Sequence, residues 1–324
     1  MKTKIAYALV SDRDDVYALQ AWVSVVSLRR HNPDAVVVLA CDRPTADSVR
    51  TLPLAGLIDE TVVIDLPEGM TARERSRRVK TGLRDAIEGD FFYIDVDTII
   101  TGPLDSIDEV ACELAAVADA HCSLEDNPYM EMNRKNAAVL GYGFDGETQF
   151  FNGGAVLARD TETAREFYRT WNRFYDEGTR KGIFIDQTSY ARANIFLGHP
   201  MEELPGVWNC QLRHGTRFLS DARVVHYLWT AKNARNPFLL GRPEIWEKIR
   251  RTMAIPPEVT ELFDDPFKGL QDMTYLASKE ETAFFNTRVY KVSTKFARES
   301  GGFNKALKLC VRTLDFIYKK THKQ

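Results

Sequence analysis

Residues 91–100 read FFYIDVDTII, two carboxylates one residue apart within a run of aromatic and β-branched side chains. An extended backbone sends alternate side chains to opposite faces, so Asp95 and Asp97 can converge on one cation while Val96 turns into the core. Adjacent anions on an apolar strand repel each other and lose hydration unless a cation or hydrogen-bond donors compensate. One reading is a metal site at a strand end; the other is a strand running into an acidic turn, where Asp is common. The strongly apolar flanks favour the first.

Upstream, KIAYALV (4–10), AVVVLAC (35–41) and TVVIDL (61–66) read as buried strands. A helical spacing runs from Val16 to Arg30 and stops at His31-Asn32-Pro33, and a basic helix is expected from Thr71 to Ile87. Strands separated by helices imply βαβ units and a mostly parallel, doubly wound α/β sheet, whose ligands bind beyond the carboxyl ends of the strands. Asp95 and Asp97 stand at such an end. Downstream, Glu113 to Val117 reads as a strand, and 119–149 as a polar Gly- and Asn-containing cover for a site. QFFNGGAVLAR (149–159) reads as a Gly-bearing turn into a buried strand, followed by an amphipathic helix from Thr161 to Tyr175. Asp186-Gln187 opens another helical segment, and ARVVHYLW (222–229) is strand-like with His226 in its middle.

With 324 residues, 44% of them hydrophobic, the chain can form one large α/β domain or two smaller ones. No apolar run approaches the roughly 20 residues that span a bilayer, and IAYALV is too short for a signal-peptide core, which predicts a cytoplasmic chain. Five scattered cysteines without C-x-x-C spacing argue for reduced thiols.

Taken in order, several features resemble glycosyltransferase family 8. They are the first strand followed by acidic residues and Tyr17, Asp95-x-Asp97, Phe151-Asn152-Gly153-Gly154, Asp186-Gln187, Trp208-Asn209 and His226-x5-Lys232. That family comprises nucleotide-sugar transferases of the GT-A fold, related to glycogenin and to bacterial lipopolysaccharide galactosyl- and glucosyltransferases. The resemblance covers roughly residues 1 to 235, and its strength is the order and spacing of motifs that are weak singly. It implies a UDP-hexose donor, a glycan or glycolipid acceptor and transfer with retention of configuration. It also implies a catalytic domain over 1–250, with the nucleotide sugar bound by about 1–100 and the sugar and acceptor side in about 101–250. Residues 251–324 form a helical, basic extension.

Breaking the bond between the anomeric carbon and a diphosphate oxygen builds negative charge on the leaving group, which a carboxylate-held cation neutralises. The resemblance assigns Asp95, Asp97 and His226 to the metal, Mn²⁺ or Mg²⁺, with imidazole favouring Mn²⁺. Lys232, Lys80 and the backbone around Val96 fall on the diphosphate side. Lys80 stands where the family usually carries arginine; it keeps the charge without the planar fork. The other reading of Lys80 is a solvated basic face shared with Arg73, Arg77 and Arg84. Ala8, Ser11, Asp12 and Tyr17 are the base and ribose candidates, Tyr17 either stacking on a base or packing on the sheet. Asp119, Asn152, Gly153 and Asn209 are candidates for the sugar and acceptor pocket. Asp186 or Gln187 lies near the reacting face, and Asp186 is alternatively a helix N-cap.

From Glu281 to Gln324 there are ten Lys/Arg against three Asp/Glu, or +7, against −10 for the rest of the chain. Phe303, Ala306, Leu307, Cys310, Leu314 and Ile317 share one helix side opposite Lys305, Lys308, Arg312 and Lys319, and Phe285, Val289, Val292 and Phe296 oppose Arg288, Lys291, Lys295 and Arg298. Such helices suit a peripheral position on an anionic membrane face. The alternative is that the stripes pack on the catalytic domain or on another subunit of a homo-oligomer. Nucleic acid fits poorly, because stacking aromatics do not interleave with the basic residues. A haloacid-dehalogenase-like phosphatase also uses D-x-D at a strand end, but there the motif opens the domain. A nucleotidyltransferase would need a Gly-rich loop after the first strand, and LVSDRDDVY has no glycine. A nucleotide-sugar-binding protein without turnover is the alternative outside catalysis.

Overall fold

Alternating buried and half-buried runs in the sequence assemble, in this computed structural model, into a seven-stranded sheet ordered β3-β2-β1-β4-β7-β6-β8. The structure describes residues 1–12, 15–228, 238–270, 281, 284–285, 287–290 and 310–313. The strands are β1 (Lys4–Leu9), β2 (Val37–Cys41), β3 (Glu60–Val63), β4 (Phe91–Ile94), β5 (Thr98–Ile100), β6 (Leu114–Ala118), β7 (Phe151–Ala158), β8 (Glu202–Leu204), β9 (Cys210–Gln211) and β10 (Val224–His226). The helices are α1 (Tyr17–His31), α2 (Arg43–Val49), α3 (Ala72–Thr81), α4 (Leu83–Ala86), α5 (Met130–Val139), α6 (Glu162–Arg180), α7 (Asp186–Phe196), α8 (Pro243–Thr252) and α9 (Pro257–Thr260).

β3, β2, β1 and β4 run parallel, whereas β7 is antiparallel to both β4 and β6. Period-two alternation puts Ile5, Tyr7 and Leu9 into a core with α1, and Ala6 and Val10 into a second core with α3, α6 and α7. Both faces of the parallel strands are therefore covered, which is why they read as near-continuous apolar runs.

The sequence places Asp95 and Asp97 on an extended strand; the structure ends β4 at Ile94. The chain then leaves the large sheet and joins a small one, ordered β5-β10-β9. Asp95, Val96 and Asp97 are the link between the two, with Val96 partly buried against the core as expected. The basic helix expected over 71–87 is two helices, because Gly82, a poor helix former, separates α3 from α4. His226 ends its strand rather than lying in the middle of one.

Residues 243–270, partly assigned to the extension by the sequence, bury Ile245, Trp246, Ile249, Leu262 and Phe263 in the main core. The compact unit accordingly reaches Thr274, and a second unit runs from Tyr275 to Gln324. In that second unit Arg288, Val289 and Arg312 are exposed, with Val289 67% exposed, and most residues of the expected amphipathic stripes lie outside the described ones. Among the described residues no helix is long and apolar enough to cross a membrane. The cysteines form no disulfide.

The start of α3 is set by a capping box: Thr71 accepts from the Glu74 backbone, and Glu74 accepts from the Thr71 backbone. Thr71→Ala is expected to lower stability by about 1 kcal/mol, read as a lower urea midpoint at unchanged slope. An unchanged midpoint would mean that α3 does not depend on its cap.

Candidate active site

The carboxyl end of β4 meets the small sheet through one register. β10 pairs antiparallel with β5 so that His226 faces Thr98, and the Tyr227 N–H donates to the Asp97 carbonyl at 3.2 Å. This brings His226 Nε2 to 3.1 Å from Asp97 Oδ1 and 4.0 Å from Asp95 Oδ2. One ligand atom from each of Asp95, Asp97 and His226 lies within 4.8 Å of the others. Two hard oxygens and an imidazole nitrogen are a donor set suited to Mn²⁺ or Mg²⁺.

β7 supplies the floor. The Gly154 carbonyl accepts from the Asp95 N–H at 2.8 Å, and a Cβ at Gly154 would lie 2.5 Å from His226 Cε1 and 2.8 Å from Asp95 Oδ2. Only glycine leaves room there for the imidazole and the carboxylate to meet.

Asp95 divides its two oxygens. Oδ1 accepts from Lys80 Nζ at 3.1 Å and from the Tyr93 hydroxyl, while Oδ2 faces His226. Lys80 is 5% exposed and also lies 3.7 Å from Asp186 Oδ2, so the reading of Lys80 as part of a solvated face fails. Arg77 Nε pairs with Asp186 Oδ1 at 2.9 Å. Asp186 is the first residue of α7, not its N-cap, and its side chain makes no cap bond. The Asp186 carboxylate, against the cost of burial and helped by Asp95, holds the Arg77 pKa above its usual value. Burial first, then Asp95, push the Tyr93 phenol well above its usual range, so it stays a donor. Burial opposes a charge on His226, but Asp97 and Asp95 outweigh it and raise its pKa.

Gln187 bridges to β7, donating to the Phe151 carbonyl and accepting from the Gly153 N–H. Asn152 donates to Asp119 Oδ1 at 2.7 Å. Asn209, expected on the sugar and acceptor pocket, is fully buried, and its amide is held by His226 and Asn152. It stands behind the site rather than on its surface.

Tyr17 begins α1 and is 41% exposed, and burial together with the Asp15 and Asp97 charges raises its pKa. It is not packed away on the sheet. Ser11 is buried, donates to Asp15 at 2.7 Å, and takes the Thr45 hydroxyl on its N–H. Asp12 pairs with Arg75 at 3.0 Å and lines two clefts of about 460 and 540 Å³. Ala8 is half-buried against the second core. Lys232 lies outside the described residues.

The sequence reading missed Arg77, Tyr93 and Gly154 as site residues. Each had a signal: Arg77 precedes Lys80 by one helical turn, Tyr93 precedes Asp95 by one strand period, and Gly154 follows Asn152 by the same period.

No protein-family model matches the chain, and no curated protein matches it. The solved structure of the galactosyltransferase LgtC with donor and acceptor sugar analogues is similar at TM-score 0.51 and 16% identity, over 80% of this chain and 99% of that one. An active-site mutant of LgtC gives TM-score 0.51 at 16% identity over 79% and 98%. The glycosyltransferase GlyE of Streptococcus pneumoniae gives 0.49 at 18% over 85% and 66%. The likeness to LgtC is one of fold, and the α/β GT-A class expected from the sequence is the one observed.

Beside Asp119, His121 accepts from the Gln211 N–H at 2.9 Å, and His214 packs edge-on to Tyr129. Burial, then His214, pushes His121 down to about 4, and burial, then Arg213, does the same to His214. Each folded value lies below the unfolded one, so as pH falls the unfolded chain binds protons that the folded chain refuses. Stability should therefore drop between about pH 6.5 and 4, by at most about 1.4 kcal/mol per pH unit per group before solvent screening is discounted. Denaturation across that range should show the slope, and His121→Gln/His214→Gln should flatten it; an equal slope in both proteins would rule the pair out as its source.

Proposed function

We propose that this chain transfers a hexose from a UDP-sugar to a glycan or glycolipid acceptor, with retention at the anomeric carbon. One observation carries the reading: the Asp95, Asp97 and His226 ligand atoms lie within 4.8 Å of one another, at the carboxyl end of β4 in a GT-A sheet. Such ends are where open α/β sheets bind ligands.

In this reading Asp95, Asp97 and His226 hold a divalent cation, Mn²⁺ or Mg²⁺. When bound, it neutralises charge growing on the departing diphosphate. Lys80 and Tyr93 hold Asp95 through Oδ1, leaving Oδ2 turned toward His226. Lys80 and Lys232 add positive charge toward the diphosphate. Tyr17, exposed at the start of α1, offers its ring to the base, and Ala8, Ser11 and Asp12 form the neighbouring edge. Asp119, Asn152 and Gly153 meet the sugar. Asp186 and Gln187 are offered to the reacting face, Asp186 held by Arg77 and Lys80, Gln187 by the β7 backbone.

The residues 281–324, at +7, complete the proposal as a contact with an anionic membrane surface where a lipid-borne acceptor would lie. Truncation after Glu280 is expected to weaken sedimentation with anionic liposomes while UDP-sugar hydrolysis persists; undiminished sedimentation would count against the tail's role.

Calorimetry with UDP is expected to show binding that weakens by about tenfold or more when Mn²⁺ is withheld. Hydrolysis across a panel of UDP-sugars should identify a preferred donor. Asp97→Asn should cut that turnover on the order of 100-fold, the several kcal/mol a cation supplies. Metal-independent binding, or unchanged turnover in Asp97→Asn, would sink the mechanism.

A further inference from the structure

A line of side-chain amides joins the Asp119 end of the site to the His226 end. Asn127 donates through Nδ2 to Asp119 Oδ2 at 2.9 Å, and Asn152 donates through Nδ2 to Asp119 Oδ1 at 2.7 Å. Asn209 donates through Nδ2 to Asn152 Oδ1 at 3.0 Å, and its own Oδ1 lies 3.0 Å from His226 Nδ1. Asp119, Asn127, Asn209 and His226 are all buried, so each polar atom must find its partner within the protein.

Amide oxygens and nitrogens are close in shape, and such a line could in principle run either way. Two groups that cannot reverse fix its direction. The Gly154 backbone N–H can only donate, and it does so to Asn152 Oδ1 at 2.9 Å. The Asp119 carboxylate accepts, and it takes the Asn152 amide hydrogens on the other side. Asn152 Oδ1 is thus an acceptor, and Asn209 must turn its NH₂ toward it. That leaves Asn209 Oδ1 facing the imidazole, where it can only accept. Nδ1 of His226 therefore carries a hydrogen, while the proton on Nε2, 3.1 Å from Asp97 Oδ1, is the one that a cation held by Asp95 and Asp97 would displace, leaving the Nε2 lone pair as the ligand.

We propose that Asn209 is a positioning residue that locks His226 in its Nδ1–H tautomer, with a polarity set by Gly154 and Asp119, so that the sugar end of the site prepares the cation ligand. The role rests on the reading of His226 as a ligand. A ligating imidazole needs one nitrogen free, and the hydrogen bond on the other nitrogen decides which one. Asn209 touches neither cation nor sugar in this arrangement; it acts through His226.

The ring is read by long-range ¹H–¹⁵N NMR of histidine-labelled protein with enough Mg²⁺ and UDP to shift its resonances, which removes the proton that Nε2 shares with Asp97. Wild type is expected to show Nδ1–H at His226. Asn209→Leu removes the acceptor, and a substantial Nε2–H population is expected. Mn²⁺ binding in the presence of UDP, followed by electron paramagnetic resonance, should weaken about 10- to 100-fold in that variant. Asn209→Asp keeps an acceptor for Nδ1–H and should hold both the tautomer and Mn²⁺ affinity within a few-fold of wild type. A bare Nδ1 in the wild-type protein, a reading that needs no variant to fold, would overturn the inference; so would an Asn209→Leu protein that keeps both tautomer and affinity. Wild type that shows Nδ1–H yet binds no Mn²⁺ would instead overturn the cation reading on which the role depends.

Discussion

Everything in this site depends on answering negative charge. Asp95, Asp97 and Asp186 come together where side chains are at most a quarter exposed, and like charges in partial burial repel at a cost that water no longer screens. The answer comes from four residues on three separate elements: Lys80 and Arg77 on α3, Tyr93 on β4 and His226 on β10. Each must arrive at a fixed distance, so the sheet order, the α3 cap and the break at Gly82 all become conditions of the site. The fold is the device that balances the charges.

The strongest of these conditions is the change of sheet after Ile94. β4 is held by β1 on one side and β7 on the other, whereas β5 pairs with β10 in another sheet. A link of three residues between two fixed strands has little freedom, and three of its backbone groups are bonded: Asp95 N–H to Gly154, the Asp95 carbonyl to Thr98, the Asp97 carbonyl to Tyr227. Thr98 in turn bonds Ser24 on α1, and Ser24 bonds Tyr7 on β1. The acidic link is braced from behind by a buried hydroxyl chain. Preorganisation of this kind keeps the carboxylates in place before any cation is present.

Much of this was legible in the sequence, and the reason differs from residue to residue. Strands β1, β2 and β4 announced themselves because both faces are buried, which leaves a run with no polar interruption. Asp95 and Asp97 stood out because they violate that pattern. His226 was legible only through a family resemblance, since 129 residues separate it from Asp97 and the register that joins them is a tertiary fact. The place of Asn209 was not legible: an asparagine after a tryptophan reads the same whether it faces a pocket or a histidine. Of the two readings left open for Asp186, the cap is the one set aside, because Ile185 stands at the cap position and the Asp186 carboxylate pairs with Arg77, a contact that only the fold reveals.

Lys80 shows how a lysine can serve between two carboxylates. A lysine offers a point charge where an arginine would offer a planar fork, and one ammonium cannot grip two carboxylates as a guanidinium grips one. Here the task is divided along α3. Arg77, one turn earlier, takes Asp186 Oδ1 through Nε, and Lys80 lies between Asp95 Oδ1 and Asp186 Oδ2. Lys80 also sits over the Tyr93 ring at 5.0 Å, and that contact further fixes its ammonium. Because Lys80 and Tyr93 both draw on Oδ1, Asp95 can neutralise the lysine and still turn Oδ2 to His226 and whatever cation the pair would hold. Removing either donor would free Oδ1 to rotate toward His226, so the pair that looks like mere charge balance also decides which carboxylate oxygen faces the imidazole.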